Sequence, residues 1–265
     1  MIMIKVFILV ILVYLLLVAG LFVFQRNILF VPGKVKPETV GTLVPEMQEV
    51  FLHTSDGLSL TSWFYRGEPD KHIIIYFQGN AGTIRDRDYK ARFFMDRGYG
   101  VLLVGYRGYG KNPGKPSEWG LTLDGEAAIE FAKKEAFTTD RIILYGESLG
   151  TGVVVNLASK TEVNSIILEA PYTSIEHIAK HRYWFIPVRY LLKDRFDSIK
   201  KIGSIKIPGL VLHGDQDRVI SVSYGEELFQ HMNEPKQFIK VPGGRHSDLF
   251  DYGVGEEIIK FVEGM

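Results

Sequence analysis

Two unlike patterns of apolar and polar positions divide this chain. Residues 6–25 carry no charge and are dominated by Val, Ile, Leu and Phe, with Lys5 before them and Arg26 after them. A buried amphipathic helix would show a polar stripe, and none is present. About 20 apolar residues suffice to cross a bilayer, so the pattern predicts an N-terminal membrane-spanning helix. A cleaved signal peptide is the competing reading, with Val18-Ala19-Gly20 as a weak cleavage point. The apolar run exceeds the ~7–15 residues of a signal core, which favours an uncleaved single-pass anchor. Basic residues flank both ends (Lys5; Arg26, Lys34, Lys36), so the side of the membrane that holds the rest of the chain stays open.

Beyond Pro45 the pattern changes to short apolar runs separated by helical periodicity. Residues 49–54 and 58–65 read as two strands joined through Asp56-Gly57, a hairpin signal. Apolar runs at 73–77, 99–104, 142–144, 165–168, 208–212 and 237–241 read as buried strands. Between them fall helical stretches at about 85–97, from a Ser117 cap to about 136, from 153 to 158, at 223–231 and at 256–262. Such alternation predicts an α/β fold with a mostly parallel, doubly wound sheet and an antiparallel N-terminal edge. From 172 to 205 the alternation stops, and this aromatic-rich insertion, with Trp184 and Phe185, is expected to form a short cap. The expected organisation is an anchor (1–26), a linker (27–48) rich in Pro and Gly, and one domain (49–265) of 217 residues.

Composition narrows the partners. Lys plus Arg equals Asp plus Glu at 31 each, which argues against nucleic acid, whose binding needs a basic excess. There is no cysteine, so disulfides and thiolate metal sites are excluded. His177 and His181 stand four apart, but no glutamate in a metalloprotease position accompanies them, and neither a metal nor a cofactor is expected. Arg107 among its glycines could hold a phosphate; loop geometry is the preferred reason for it.

The candidate chemistry lies at the ends of the strands, where sites of open α/β sheets collect. Gly146-Glu147-Ser148-Leu149-Gly150 is a G-x-S-x-G pentapeptide between a predicted strand and helix, the context of a nucleophile elbow. The turn must hold Ser148 in a strained conformation, and the flanking glycines admit close backbone approach. An acid and a histidine follow in chain order. Asp217 is favoured over Asp215 and Glu169 as the acid, and His246, in a glycine-rich loop after the last strand, over His213 as the base. His213 ends a strand and is expected to be structural. The backbone N–H groups of Leu149 and Asn80 are the expected oxyanion donors.

These stretches also carry a resemblance. Gln78-Gly-Asn-Ala-Gly, Tyr106-Arg-Gly-Tyr-Gly, Pro116-Ser-Glu, Gly146-Glu-Ser-Leu-Gly, Arg195-Phe-Asp-Ser, His213-Gly-Asp-Gln-Asp and Gly244-Arg-His resemble the membrane-anchored alpha/beta hydrolases of the bud-emergence type. Depalmitoylating hydrolases and serine aminopeptidase-like proteins are relatives of that group. The resemblance implies an alpha/beta-hydrolase fold, a triad of Ser148, Asp217 and His246, and oxyanion roles for Asn80 and Leu149. Two positions depart from the family pattern: Gln78 stands where histidine is usual, and Ser247 where asparagine is usual.

The expected activity is hydrolysis of carboxylic esters or thioesters, with a small-molecule or lipid-like acyl substrate. A peptidase or amidase would share this machinery. A membrane-tethered binding protein of the same fold, without chemistry, is the third reading.

Overall fold

The computed structural model describes residues 2–264. The first element, α1 (Ile2–Leu29), runs past Arg26. It is followed by a short strand, β1 (Val31–Pro32), and then by the hairpin of β2 (Gln48–His53) and β3 (Ser59–Tyr65). The hairpin turns as expected at Asp56-Gly57: the Thr54 hydroxyl donates to Asp56, and the Gly57 N–H to the Thr54 carbonyl. Thereafter come β4 (Ile73–Phe77), β5 (Ala81–Gly82), α2 (Asp88–Met95), β6 (Gly100–Leu103) and α3 (Glu118–Lys134). Ser117 caps α3, its side chain accepting from the Gly120 N–H. Then follow β7 (Ile142–Glu147), α4 (Leu149–Ala158), β8 (Ser165–Glu169), and the insertion helices α5 (Ile175–Arg182), α6 (Val188–Leu191) and α7 (Ser198–Lys201). The chain closes with β9 (Gly209–Gly214), α8 (Val222–Gln230), β10 (Lys236–Val241) and α9 (Val254–Glu263).

Among the described residues eight of these strands form one sheet in the order β10-β9-β8-β7-β4-β6-β3-β2, and β1 and β5 form a separate pair. β3 pairs antiparallel with both of its neighbours; the remaining pairs are parallel. The central strands β4, β7 and β8 are buried along their whole length, which is why they read as unbroken apolar runs. Side-chain alternation sorts them into two layers. Ile73, Ile75, Phe77, Ile142 and Leu144 join the layer with α3 and α4. Ile74, Tyr76, Ile143 and Tyr145 join the one with α2 and α9. Each such apolar side chain stabilises the fold by about 1.5–3 kcal/mol on burial.

The segment after α1 does more than connect. Phe30 enters the core, edge-on to Phe196 at 6.5 Å between centroids. β1 pairs with β5 in the loop after β4, with Val31 N–H donating to Asn80 O at 2.8 Å and Gly33 N–H to Gly82 O at 2.8 Å.

Candidate active site

The loops after β4, β7, β9 and β10 open on the same edge of the sheet, since these strands run parallel. The tightest of them is the step from β7 into α4. Ser148 takes φ 51°, ψ −116°, a backbone conformation that costs a non-glycine residue of order 1–3 kcal/mol. A Cβ on Gly146 would stand 2.6 Å from the backbone of Gly150, and a Cβ on Gly150 would stand 2.1 Å from the Phe77 carbonyl oxygen. Glycine at both positions is therefore a steric requirement of the elbow. The Ser148 N–H donates to Glu169 O at 2.8 Å, which ties the turn to the end of β8.

Three side chains from distant parts of the sequence meet here. His246 Nε2 lies 2.9 Å from Ser148 Oγ, and His246 Nδ1 lies 2.7 Å from Asp217 Oδ2. An ionised carboxylate only accepts, so Nδ1 carries a hydrogen and Nε2 is left to accept from the hydroxyl. Asp217 has a fully buried side chain. Its Oδ1 accepts the N–H groups of Val219 at 2.8 Å and Ile220 at 2.9 Å. Burial pushes this carboxyl up, but the bonds from His213, His246 and the Ile220 N–H outweigh it and hold the group below the usual carboxylate range.

The competing residues are occupied elsewhere. Asp215 Oδ1 accepts the Gly243 N–H at 2.8 Å. Glu169 points beneath the elbow, where its Oε2 takes Lys90 Nζ at 2.7 Å. His213 is buried, with Nε2 2.9 Å from the Ile220 carbonyl oxygen and 3.4 Å from Asp217 Oδ2, so it braces the acid. His177 Nδ1 faces the Thr173 hydroxyl at 2.8 Å, and no cluster fit to hold a metal ion occurs among the described residues. Arg107 pairs with Asp124 and Asp56, both at 2.7 Å. That ion pair fastens the loop after β6 to the β2–β3 turn and is the structural reason for the arginine.

The loop carrying Asn80 is held from three directions. Tyr109 OH donates to Asn80 O at 2.7 Å, Tyr106 OH to Gln78 O at 3.1 Å, and Asn80 Nδ2 to Leu29 O at 3.0 Å. With β1 added, the carbonyls of Gln78, Asn80 and Gly82 each accept a hydrogen bond. No carbonyl or side chain among the described residues accepts from the backbone N–H of Asn80 or of Leu149. The Gln78 side chain is buried, and neither its amide nitrogen nor its oxygen finds a partner among the described residues.

Sequence reasoning missed the floor beneath the elbow. Glu147, the second residue of the pentapeptide, accepts Arg87 Nε at 2.9 Å, Arg87 Nη2 at 2.8 Å and Lys90 Nζ at 2.8 Å, and also the Tyr76 hydroxyl. Lys90 is 2% exposed and bridges Glu147 and Glu169. Burial works against both charges. Lys90 and Arg87 nonetheless hold Glu147 below its usual range, and the two glutamates hold Lys90 above its own. The available signal was the pairing of charged residues at the ends of two central strands, Glu147 and Glu169, which only a buried cation can neutralise.

Comparisons with known proteins place the fold in a family. A family model described as serine aminopeptidase, S33, matches residues 68–199. An uncharacterised protein of Mycobacterium tuberculosis is 34% identical over 227 residues, covering 84% of this chain and 81% of the relative. The alpha/beta hydrolase domain-containing protein WAV2 of Arabidopsis thaliana is 30% identical over 260 residues, covering 88% of this chain and 84% of the relative. This chain belongs to the alpha/beta hydrolase superfamily. Among solved structures, the Pyrococcus furiosus esterase Pf2001 shares the fold of this hydrolase with a TM-score of 0.72 at 20% identity, over 88% of this chain and 98% of the esterase.

Proposed function

We propose that this hydrolase is a serine esterase or thioesterase of the bud-emergence type, cleaving acyl substrates through an acyl-Ser148 intermediate. The observation that carries the reading is the unbroken hydrogen-bonded line Ser148–His246–Asp217, at 2.9 and 2.7 Å, with the serine on a positive-φ elbow. Ser148 Oγ attacks the acyl carbonyl while His246 Nε2 takes its proton. The developing oxyanion accepts from the N–H groups of Asn80 and Leu149, a donor pair of which each member is worth about 10²–10³ in rate. His246 then returns the proton to the departing alcohol or thiol. Water, deprotonated by the same imidazole, releases the acid and restores Ser148. Asp217 holds the imidazole in the required tautomer and stabilises its charged form.

In this reading the chain is an anchor (1–26), a connecting segment (27–48) and a catalytic domain (49–265) with its cap at about 172–205. α1 tethers the enzyme to a membrane: it is 28 residues long and apolar, and none of its residues is fully buried. A fluorophosphonate probe should label Ser148, and short p-nitrophenyl esters should turn over. A folded protein that does neither would reject the reading.

The serine aminopeptidase model favours a second reading, a peptidase acting through the same residues. Amide substrates need His246 to protonate a poorer leaving group. Turnover of aminoacyl amides at rates matching the acyl esters would move the assignment to that class.

A further inference from the structure

The exposed faces of α1 are not equivalent. Val18, Leu21, Gln25 and Leu29 are half-buried at helical spacing, whereas Val23 and Phe24 on the opposite side are exposed. The half-buried stripe lies against the cap. Tyr14 OH donates to the Phe185 carbonyl at 2.8 Å, Gln25 Nε2 donates to Leu191 O at 3.1 Å, and the Lys193 N–H donates to Gln25 Oε1 at 2.8 Å. Arg26 forks onto the buried Asp194 carboxylate at 2.7 and 3.1 Å, and Asp194 also accepts the Glu118 N–H at the start of α3. Between helix and cap is a cavity of about 270 Å³. Leu21 and Phe22 line it from α1, Ile178, Ile186 and Leu191 from the cap, and Asn80 from the loop after β4. That volume is just below the ~300–1,000 Å³ usual for small-molecule sites. It suits a narrow apolar occupant. Asn80, a proposed oxyanion donor, is also a wall of this cavity and is the residue through which the cavity adjoins the proposed reaction centre; Ser148, Leu149 and His246 do not line it.

The helix geometry says where such an occupant comes from. At 1.5 Å per residue, the uncharged apolar run of α1, residues 6–25, is about as long as the ~30 Å of a hydrocarbon core, and the Tyr14 contact falls inside it. α1 cannot cross a bilayer while its contact with the cap stays wholly in water. The cap face next to that contact exposes Trp184 (83%) and Tyr190 (82%), aromatic residues suited to the membrane–water interface.

We propose that the cavity between α1 and the cap is the acyl-chain site of this enzyme, filled by the long-chain acyl group of a membrane-resident ester or thioester that enters from the bilayer. α1 is then a wall of the binding site as well as a tether. The inference rests on the acyl-Ser148 reading, and its test is separable from that one. The full-length protein in phosphatidylcholine vesicles is assayed with p-nitrophenyl acetate and palmitate, with palmitoyl glycerol and palmitoyl-CoA as arms that distinguish ester from thioester sources. Leu21→Trp and Ile178→Trp, which fill the cavity, should lower the palmitate-to-acetate ratio of kcat/KM at least about tenfold. Val23→Trp, on the exposed face of α1, should leave that ratio as it is. Should a cavity variant fail to fold, a second readout remains. In Ser148→Ala, a palmitoyl ester bearing a diazirine in its chain should photolabel residues 18–29 and 175–192. Unchanged chain-length ratios in folded cavity variants, or photolabelling confined to residues 2–13, would overturn the proposal. Absent fluorophosphonate labelling of the wild type would instead strike the acyl-Ser148 reading.

Discussion

The two flanks of Ser148 are built from opposite materials. Beneath it lies an ionic floor in which the buried Glu147, Glu169 and Lys90 pair with one another and with the half-buried Arg87, with the Tyr76 and Tyr145 hydroxyls bonded into it. On the other side of the Asn80 loop stand α1 and the cap, where most side chains are apolar, half-buried or exposed, and where the contacts are a few hydrogen bonds and the single Arg26–Asp194 ion pair. A buried network of paired charges resists displacement because any shift strands a charge in a low dielectric. An apolar wall can yield by an ångström at little cost. The flank that must hold the strained elbow is thus stiff, and the flank that would accommodate a variable chain is soft.

The largest expected effect falls on the point the two flanks share. Ser148→Ala should remove turnover by about 10⁶ and abolish fluorophosphonate labelling, while the melting temperature holds. A loss of turnover accompanied by unfolding would mean that the hydroxyl matters to the floor. Next, Lys90→Met strands two buried carboxylates and should cost about 3–5 kcal/mol in denaturant unfolding. A cost under about 1 kcal/mol, in the range of an exposed ion pair, would show that the floor is solvated and break the contrast.

Acid probes the same flank. The Glu147 and Asp217 carboxyls are held below their ordinary values, so the unfolded chain binds protons before the folded one does. Their contribution is complete above the ordinary carboxylate range near pH 4 and is lost as pH falls below it. Melting temperature should therefore be level above about pH 5 and decline steeply in more acid solution, and Glu147→Gln should flatten that decline.

Smaller effects belong to the soft flank. Asp194→Asn weakens the Arg26 fork and should cost about 1–2 kcal/mol, read as faster hydrogen exchange in α5 and α6 with the exchange of β7 unaltered. Smallest of all, Trp184→Ala should change global stability by less than about 0.5 kcal/mol while reducing partition of the protein into vesicles. If it destabilises the fold as strongly as Asp194→Asn, the cap is a packed layer and the comparison fails.

Much of the architecture was legible because it is written in local periods. Parallel strands buried on both faces leave unbroken apolar runs, as at Ile73–Phe77, and the Asp56-Gly57 turn and Ser117 cap are set by short-range hydrogen bonds. The elbow was legible too, since close backbone approach at Gly146 and Gly150 excludes any side chain. What a neighbour-to-neighbour pattern does not carry is direction around a turn. Asp215 and Asp217 are two residues apart, yet one carboxylate meets Gly243 and the other His246.

By itself, then, the sequence determined the order of strands and helices, the placement of Ser148 on a strained turn and the apolar character of α1. Only the tertiary structure decided that Lys90 reaches under the elbow, that Leu29 and β1 brace the Asn80 loop, and that one stripe of α1 rests on the cap. The reason is physical. Periodicity reports which face of an element avoids water, but a uniformly apolar helix has no such face until another part of the chain supplies one. A buried lysine, likewise, is recognisable only when the two carboxylates that neutralise it arrive from strands 57 and 79 residues away.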